Sequence, residues 1–336
     1  MLCPVRKKTR SGILILFLLM MACSATITWG GQGTHGHLSQ APAFADPDNI
    51  VTMTPEWIAQ PVKHPESVNA DVSVVISFQM ADVWEPWFKQ FAKQKGVNIH
   101  VRNGADGTSA GALRRKEVDI ACFCGSPTKT DRMPGVEFYT VGVVPVVFYA
   151  NVSNKIDELS MENVVKIFRG EITNWSELGG EVMSIVPVAR SHCKKRRGRW
   201  RPLNDMDNLS PTTIKVGSIE DALDYVAATP GSIGYEILTR VDSYAKRDEV
   251  KVLSLDQMNP YDLESLGTGE YPFYRSYSFT TWTGAGLENP LASDVIDMLM
   301  KKTEEKAGKI FFVPTVELRK SGWRFKGDEL VGEPLK

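Results

Sequence analysis

Four short stretches of this 336-residue chain carry the side chains best suited to gripping a ligand. Ser77-Phe78-Gln79-Met80 follows the apolar run VSVVIS. Gly107-Thr108-Ser109-Ala110-Gly111 opens a helical segment. Cys122-Phe123-Cys124-Gly125-Ser126 and Arg190-Ser191-His192-Cys193 each end a further apolar run. Glycines let backbone N–H groups come close to a bound group. Ser and Thr hydroxyls add donors, and Arg190 can donate in bidentate fashion. Each stretch has a plainer reading: Ser77 ends a strand, and Thr108 with Ser109 caps a helix. Cys and His are soft or borderline ligands suited to Zn or Cu(I), so Cys122, Cys124, His192 and Cys193 form an alternative metal set. A Cys124–Cys193 disulfide is a further option and needs Cα atoms within about 7 Å. No HExxH or CxxC motif occurs, and no nucleophile–base–orienter set is visible. An enzyme is therefore not expected, and no cofactor is implied.

The elements that must position these residues are legible in the hydrophobic pattern. Val72 to Ser77 reads as a buried strand. Asp82 to Lys95 reads as a helix whose apolar face is Val83, Trp84, Trp87, Phe88 and Phe91, with Pro86 tolerated in its first turn. Val97–Arg102 alternates as a strand, a Gly-rich loop and short helix run to Lys116, and Val118–Cys124 is the next strand. Alternation puts Cys122 and Cys124 on one face and Phe123 on the other. This strand–helix–strand–helix–strand order predicts a parallel sheet covered by helices. Further on, Ser160 caps a helix over Met161–Phe168, Met183–Arg190 is a strand, and Ser218–Ala228 is a helix. Pro290–Gly308 is a last amphipathic helix. Trp175 reads as a packing residue. Tyr274, Arg275 and Tyr277 line either the cleft or the late-strand core, and Tyr277–Trp282 is expected to run between lobes.

The stretch VVPVVFYANVSNKIDELSMENVVKIFRGEITNWSELGG…IVPVAR, from Val143 to Arg190, resembles the middle of the phosphate-type substrate-binding proteins of ABC transporters. GTSAG at Gly107–Gly111, DIACFC at Asp119–Cys124, IFRGEITNW at Ile167–Trp175, GSIGY at Gly231–Tyr235 and YPFYRSYSFTTW at Tyr271–Trp282 extend the likeness in the family's order. The resemblance implies an α/β, two-lobed periplasmic-binding-protein-like fold of type II. Each lobe would be a mixed or parallel sheet flanked by helices, with the ligand cleft between lobes. Lobe 1 would be 71–150 plus 236–336, and lobe 2 would be 151–235. It implies a small oxyanion, phosphate foremost, bound at the carboxyl ends of strands and at helix N-termini. The implied ligand set is Ser77, Phe78, Thr108, Ser109, Cys124, Ser126, Arg190 and Ser191. ABC transporter membrane subunits are the implied partners. The chain departs from the family where Cys124 stands at a serine position, Gly125 at that of a charged residue, and His192-Cys193 in place of a Ser-Gly-Thr turn. A thiol is a weak donor, so the exchange should weaken a phosphate site. Two other functions stay open beside transport: a diverged binding or sensor module, and metal or redox handling by the Cys and His set.

Composition agrees with an exported two-domain protein. The chain is 43% hydrophobic and 24% charged, with a formal net charge of −1, which suggests neither a nucleic-acid nor a membrane-coating role. Arg6, Lys7, Lys8 and Arg10 precede the apolar run Gly12–Ala22, too short to span a bilayer comfortably and fitting an export signal over 1–25. Cleavage after Ala25 would release a soluble protein; cleavage before Cys23, in LMMAC, would leave a lipid-anchored one. The chain is thus read as periplasmic or membrane-anchored outside the cytoplasm. Residues 26–70 read as linker and N-terminal segment, with Gly30–Asn49 a tether whose His35 and His37 are bland. Thr52–His64 is expected to begin order outside the core. Lys194–Arg201 holds six Lys/Arg in eight residues. It reads as a solvated loop, with anion steering the lesser reading.

Overall fold

The computed structural model describes residues 44–59, 64–190, 209–284 and 286–335. The export segment, His35 and His37, Ser191, His192, Cys193 and the basic run Lys194–Arg201 lie outside them. The first elements in chain order are α1 (Pro55–Ala59), β1 (Val72–Ser77), α2 (Ala81–Lys95), β2 (Ile99–Gly104), α3 (Asp106–Arg114), β3 (Ile120–Phe123) and β4 (Val136–Asn151). Then come β5 (Glu158–Leu159), α4 (Met161–Arg169), β6 (Val186–Arg190), β7 (Ile214–Val216), α5 (Ile219–Ala228), β8 (Ser232–Ile237) and α6 (Leu238–Asp242). The rest are β9 (Val250–Val252), β10 (Ser254–Leu255), α7 (Leu263–Gly267), β11 (Tyr274–Trp282), α8 (Pro290–Ile310), β12 (Val313–Pro314), α9 (Thr315–Lys320), β13 (Arg324–Lys326) and β14 (Glu329–Gly332).

A ten-stranded mixed sheet runs β2-β1-β3-β11-β4-β8-β6-β7, with β9 and β12 also pairing β4. β1 is parallel to β2 and β3, while β6 is parallel to β7 and β8. The 16-residue β4 joins the two halves. Its first part, Val136–Pro145, pairs antiparallel with β11, and Val146–Ala150 pairs antiparallel with β8. Strands buried on both faces are mostly apolar, and β1 is buried at every position, with only Ser73 and Ser77 polar. Val74 and Ile76 sit in one hydrophobic cluster and Val75 in another. Cys122 and Cys124 likewise face the first cluster and Phe123 the other, as alternation requires.

Capping sets several helix starts. Ser160 accepts from Asn163 N–H ahead of α4, and Ser218 with Asp221 forms a capping box ahead of α5. Trp175 is fully buried and its indole N–H donates to the Gly231 carbonyl at 3.0 Å, a packing role.

Three expectations are corrected. α2 begins at Ala81, one residue before the expected Asp82, and Pro86 falls in its second turn rather than its first. There the ring removes a helix hydrogen bond that a first-turn proline would not. Tyr277–Trp282 does not run between lobes: β11 lies inside the sheet between β3 and β4, antiparallel to both. The N-terminal segment is not separate from the core, because Val51, Met53 and Trp57 pack on the cluster around Phe123 and Phe138.

Candidate functional site

β1 and β3 run in one direction and β6, in the other half of the sheet, runs in the opposite one, so that the turn after β1 meets the end of β6. Ser77, the last residue of β1, is buried, and its hydroxyl oxygen accepts from Gln79 N–H. That turn aims Phe78 and Gln79 at the end of β6. The Phe78 ring centroid lies 5.6 Å from the Arg190 guanidinium carbon, within cation–π range.

Arg190 closes β6 and is only 5% exposed. Its Nη2 forms an ion pair with Glu236 Oε2 at 2.6 Å. Its Nη1 is buried and has no hydrogen-bond partner among the described residues. Glu236 is held on its other oxygen as well. Oε1 accepts from Gln79 Nε2 and from Ile237 N–H at 2.8 Å. Gln79 Oε1 in turn accepts from the Tyr277 hydroxyl at 3.2 Å. A buried chain, Tyr277–Gln79–Glu236–Arg190, thus crosses from β11 through the 3-10 turn before α2 and through β8 to β6. The Tyr149 hydroxyl, on β4, is also buried and without a hydrogen-bond partner among the described residues. Burial, reinforced by the Glu236 charge, holds its phenol well above the usual range.

The α3 loop supplies the second group. Asp106, at the first position of α3, is buried and accepts from Cys124 N–H at 2.7 Å. Ser109 is fully buried, and its hydroxyl donates to the Cys122 carbonyl at 2.5 Å. Thr108 is exposed on the first turn, over Gly104, where a Cβ would come within 2.7 Å of the Thr108 Cβ. Ser126 is half-buried just beyond β3. Burial pushes the Cys122 thiol well up, partly offset by a hydrogen bond with the Ser77 backbone. A thiol so protonated is a poor metal ligand or redox group. Among the described residues no cluster of three or more His, Cys, Asp or Glu could hold a metal ion.

Arg275 ties the two groups. It is 1% exposed on β11. Burial works against its charge, but Cys124, Tyr277, Glu236 and Asp106 overcome this and hold the guanidinium above its ordinary range. The structure therefore brings Ser77, Phe78, Ser109, Cys124 and Arg190 into one region, and places Thr108 and Ser126 at its edge. Arg275 and Tyr277, named in the sequence as cleft or core residues, belong to it. Gln79, Asp106 and Glu236 are not in the implied ligand set. An acid directly after GSIGY in a buried strand was the available signal, since a buried carboxylate demands a partner. Ser109→Ala is expected to cost about 0.5–1.5 kcal/mol of stability and to leave ligand affinity unchanged, because that hydroxyl proton already serves the Cys122 carbonyl. Urea unfolding beside a binding titration checks both halves.

The model of the PBP superfamily domain matches residues 61–303. The chain belongs to the PBP superfamily. It is 28% identical over 218 residues to the phosphate-binding protein PstS of Bacillus subtilis, covering 63% of this chain and 68% of that relative. It is 25% identical over 222 residues to PstS of Borreliella burgdorferi, covering 61% and 76%. Among solved structures it resembles a putative phosphate ABC transporter substrate-binding protein with bound phosphate from Clostridium perfringens. There the TM-score is 0.63 at 18% identity, over 73% of this chain and 99% of that one. An ABC-type phosphate transport receptor from Vibrio cholerae gives 0.58 at 16% identity, over 72% and 99%. The fold is the mixed α/β, two-lobed periplasmic-binding-protein fold that the order of motifs implied.

Proposed function

We propose that this protein is an extracytoplasmic solute-binding protein that takes phosphate, or a closely related oxyanion, and delivers it to an ABC importer. The observation that carries this reading is Arg190: a buried guanidinium at the carboxyl end of β6, over the Phe78 ring, whose Nη1 has no hydrogen-bond partner among the described residues. The turn after β1 lies beside it, with Phe78 over the guanidinium, and an anion there would draw on backbone N–H groups at strand ends and helix starts. Residues 71–150 with 236–336 would form one lobe and 151–235 the other, closing by a hinge. Solute binding needs no chemistry on the ligand. The basic and apolar N-terminal segment supports export. No described helix is long and apolar enough to cross a membrane. Relatives named as phosphate-binding proteins and phosphate transport receptors support the ligand and the transporter partner.

Calorimetric titration of the mature protein with phosphate, arsenate, sulfate and molybdate tests the reading. Saturable heat with phosphate is expected. Heat from none of the four would overturn the ligand assignment and favour a binding or sensor module of another specificity.

A further inference from the structure

Arg190, the residue most suited to holding an anion, already has one. Its Nη2 lies 2.6 Å from Glu236 Oε2, and both side chains are at least nine-tenths buried. We propose that Glu236 is the affinity-setting residue of the oxyanion site, an internal counter-anion that holds the Arg190 charge in check. The proposal rests on the phosphate reading above and deepens it.

Three observations carry it. The first is the charge balance. Among the described residues, the buried charges around the site are Arg190, Arg275, Asp106 and Glu236, two cations against two carboxylates. A dianion entering this cluster meets no surplus positive charge there. The second is the way Glu236 is fixed. Oε1 is held by Gln79 Nε2 and by Ile237 N–H, and Gln79 is held by the Tyr277 hydroxyl. The carboxylate cannot swing away from Arg190 without breaking these bonds, so its competition with a ligand is built into the fold. The third is the state of Arg190 itself: Nη1 has no hydrogen-bond partner among the described residues. One edge of the guanidinium is thus spent on Glu236, and none of the described residues takes the other. Breaking a buried ion pair by removing one partner leaves the other charge uncompensated, which is strongly unfavourable. A ligand anion is then the group that restores compensation.

A purely structural Glu236 makes the opposite prediction. Its loss would loosen the site and weaken binding, whereas an internal competitor gives tighter binding when removed.

Phosphate is titrated calorimetrically into wild-type and Glu236→Gln protein, with thermal melting of each as the control for folding. Glutamine keeps the volume and can still accept from Gln79 and Ile237, but turns an amide N–H toward Arg190. The expected result is a dissociation constant tighter by about tenfold, ~1.4 kcal/mol, with a steeper loss of affinity as salt rises. Unchanged or weaker binding in a folded variant overturns the proposal and leaves the phosphate reading standing. No phosphate binding by either protein overturns both. Binding by the variant alone supports the proposal in its strongest form. Glu236→Ala is the second variant. Should neither fold, a phosphate-soaked crystal of the wild type decides. Arg190 Nη2 drawn out of hydrogen-bond reach of Glu236 by the anion supports the proposal. A pair still at 2.6 Å with the anion bound elsewhere overturns it.

Discussion

Arg190→Met protein is expected to lose phosphate binding and about 3–5 kcal/mol of stability. The two losses have one cause. Methionine keeps the packing on Phe78 but removes the buried cation, leaving Glu236, 4% exposed, with no opposite charge at 2.6 Å. Its remaining partners, Gln79 and Ile237 N–H, are neutral donors. The site also loses a guanidinium whose buried Nη1 has no hydrogen-bond partner among the described residues. Chemical denaturation monitored by tryptophan fluorescence reads the stability, and calorimetry reads the ligand. A variant as stable as the wild type would mean that the pair contributes nothing net. Coupling can be checked by adding Glu236→Gln to Arg190→Met. The double variant should recover part of the lost stability, because the uncompensated carboxylate is gone.

Trp84→Ala is expected to destabilise the protein by about 3–5 kcal/mol. Trp84 is fully buried on α2. Its ring meets Tyr277 edge-on at 5.3 Å and Phe279 at 4.8 Å, contacts that add to the area it buries. It is also the side chain behind Tyr277, and Tyr277 holds Gln79, which holds Glu236. The cavity would therefore lie directly under the polar chain of the site. Urea unfolding measures the loss. A cost below about 1 kcal/mol would show that the surrounding rings collapse into the space.

The fold was legible in the sequence because its central strands are buried on both faces. VSVVIS and IACF carry apolar residues at successive positions, and only interior strands tolerate that. The helix of Trp84, Phe88 and Phe91 announced itself by spacing. Trp175, and the split of Cys122 and Cys124 from Phe123, followed from the same arithmetic. The start of α2 was legible to within one residue, but Pro86 lies in the second turn and not the first. The site was legible only in part. Ser77, Phe78, Cys124 and Arg190 sit at strand ends that the pattern could find. Their partners come from far along the chain: Gln79 and Glu236 are 157 residues apart, and Tyr277 lies 198 from Gln79. No local spacing encodes such pairs. Ser109 shows the converse limit, since its type suggested a ligand donor while its position gives the hydroxyl to the Cys122 carbonyl.

Arg190 as the anchor of the anion is tested most directly by titrating phosphate into the wild-type and Arg190→Met proteins side by side. Saturable heat in the first and none in a folded sample of the second is the expected result. Equal affinity in both would contradict it and place the anion elsewhere.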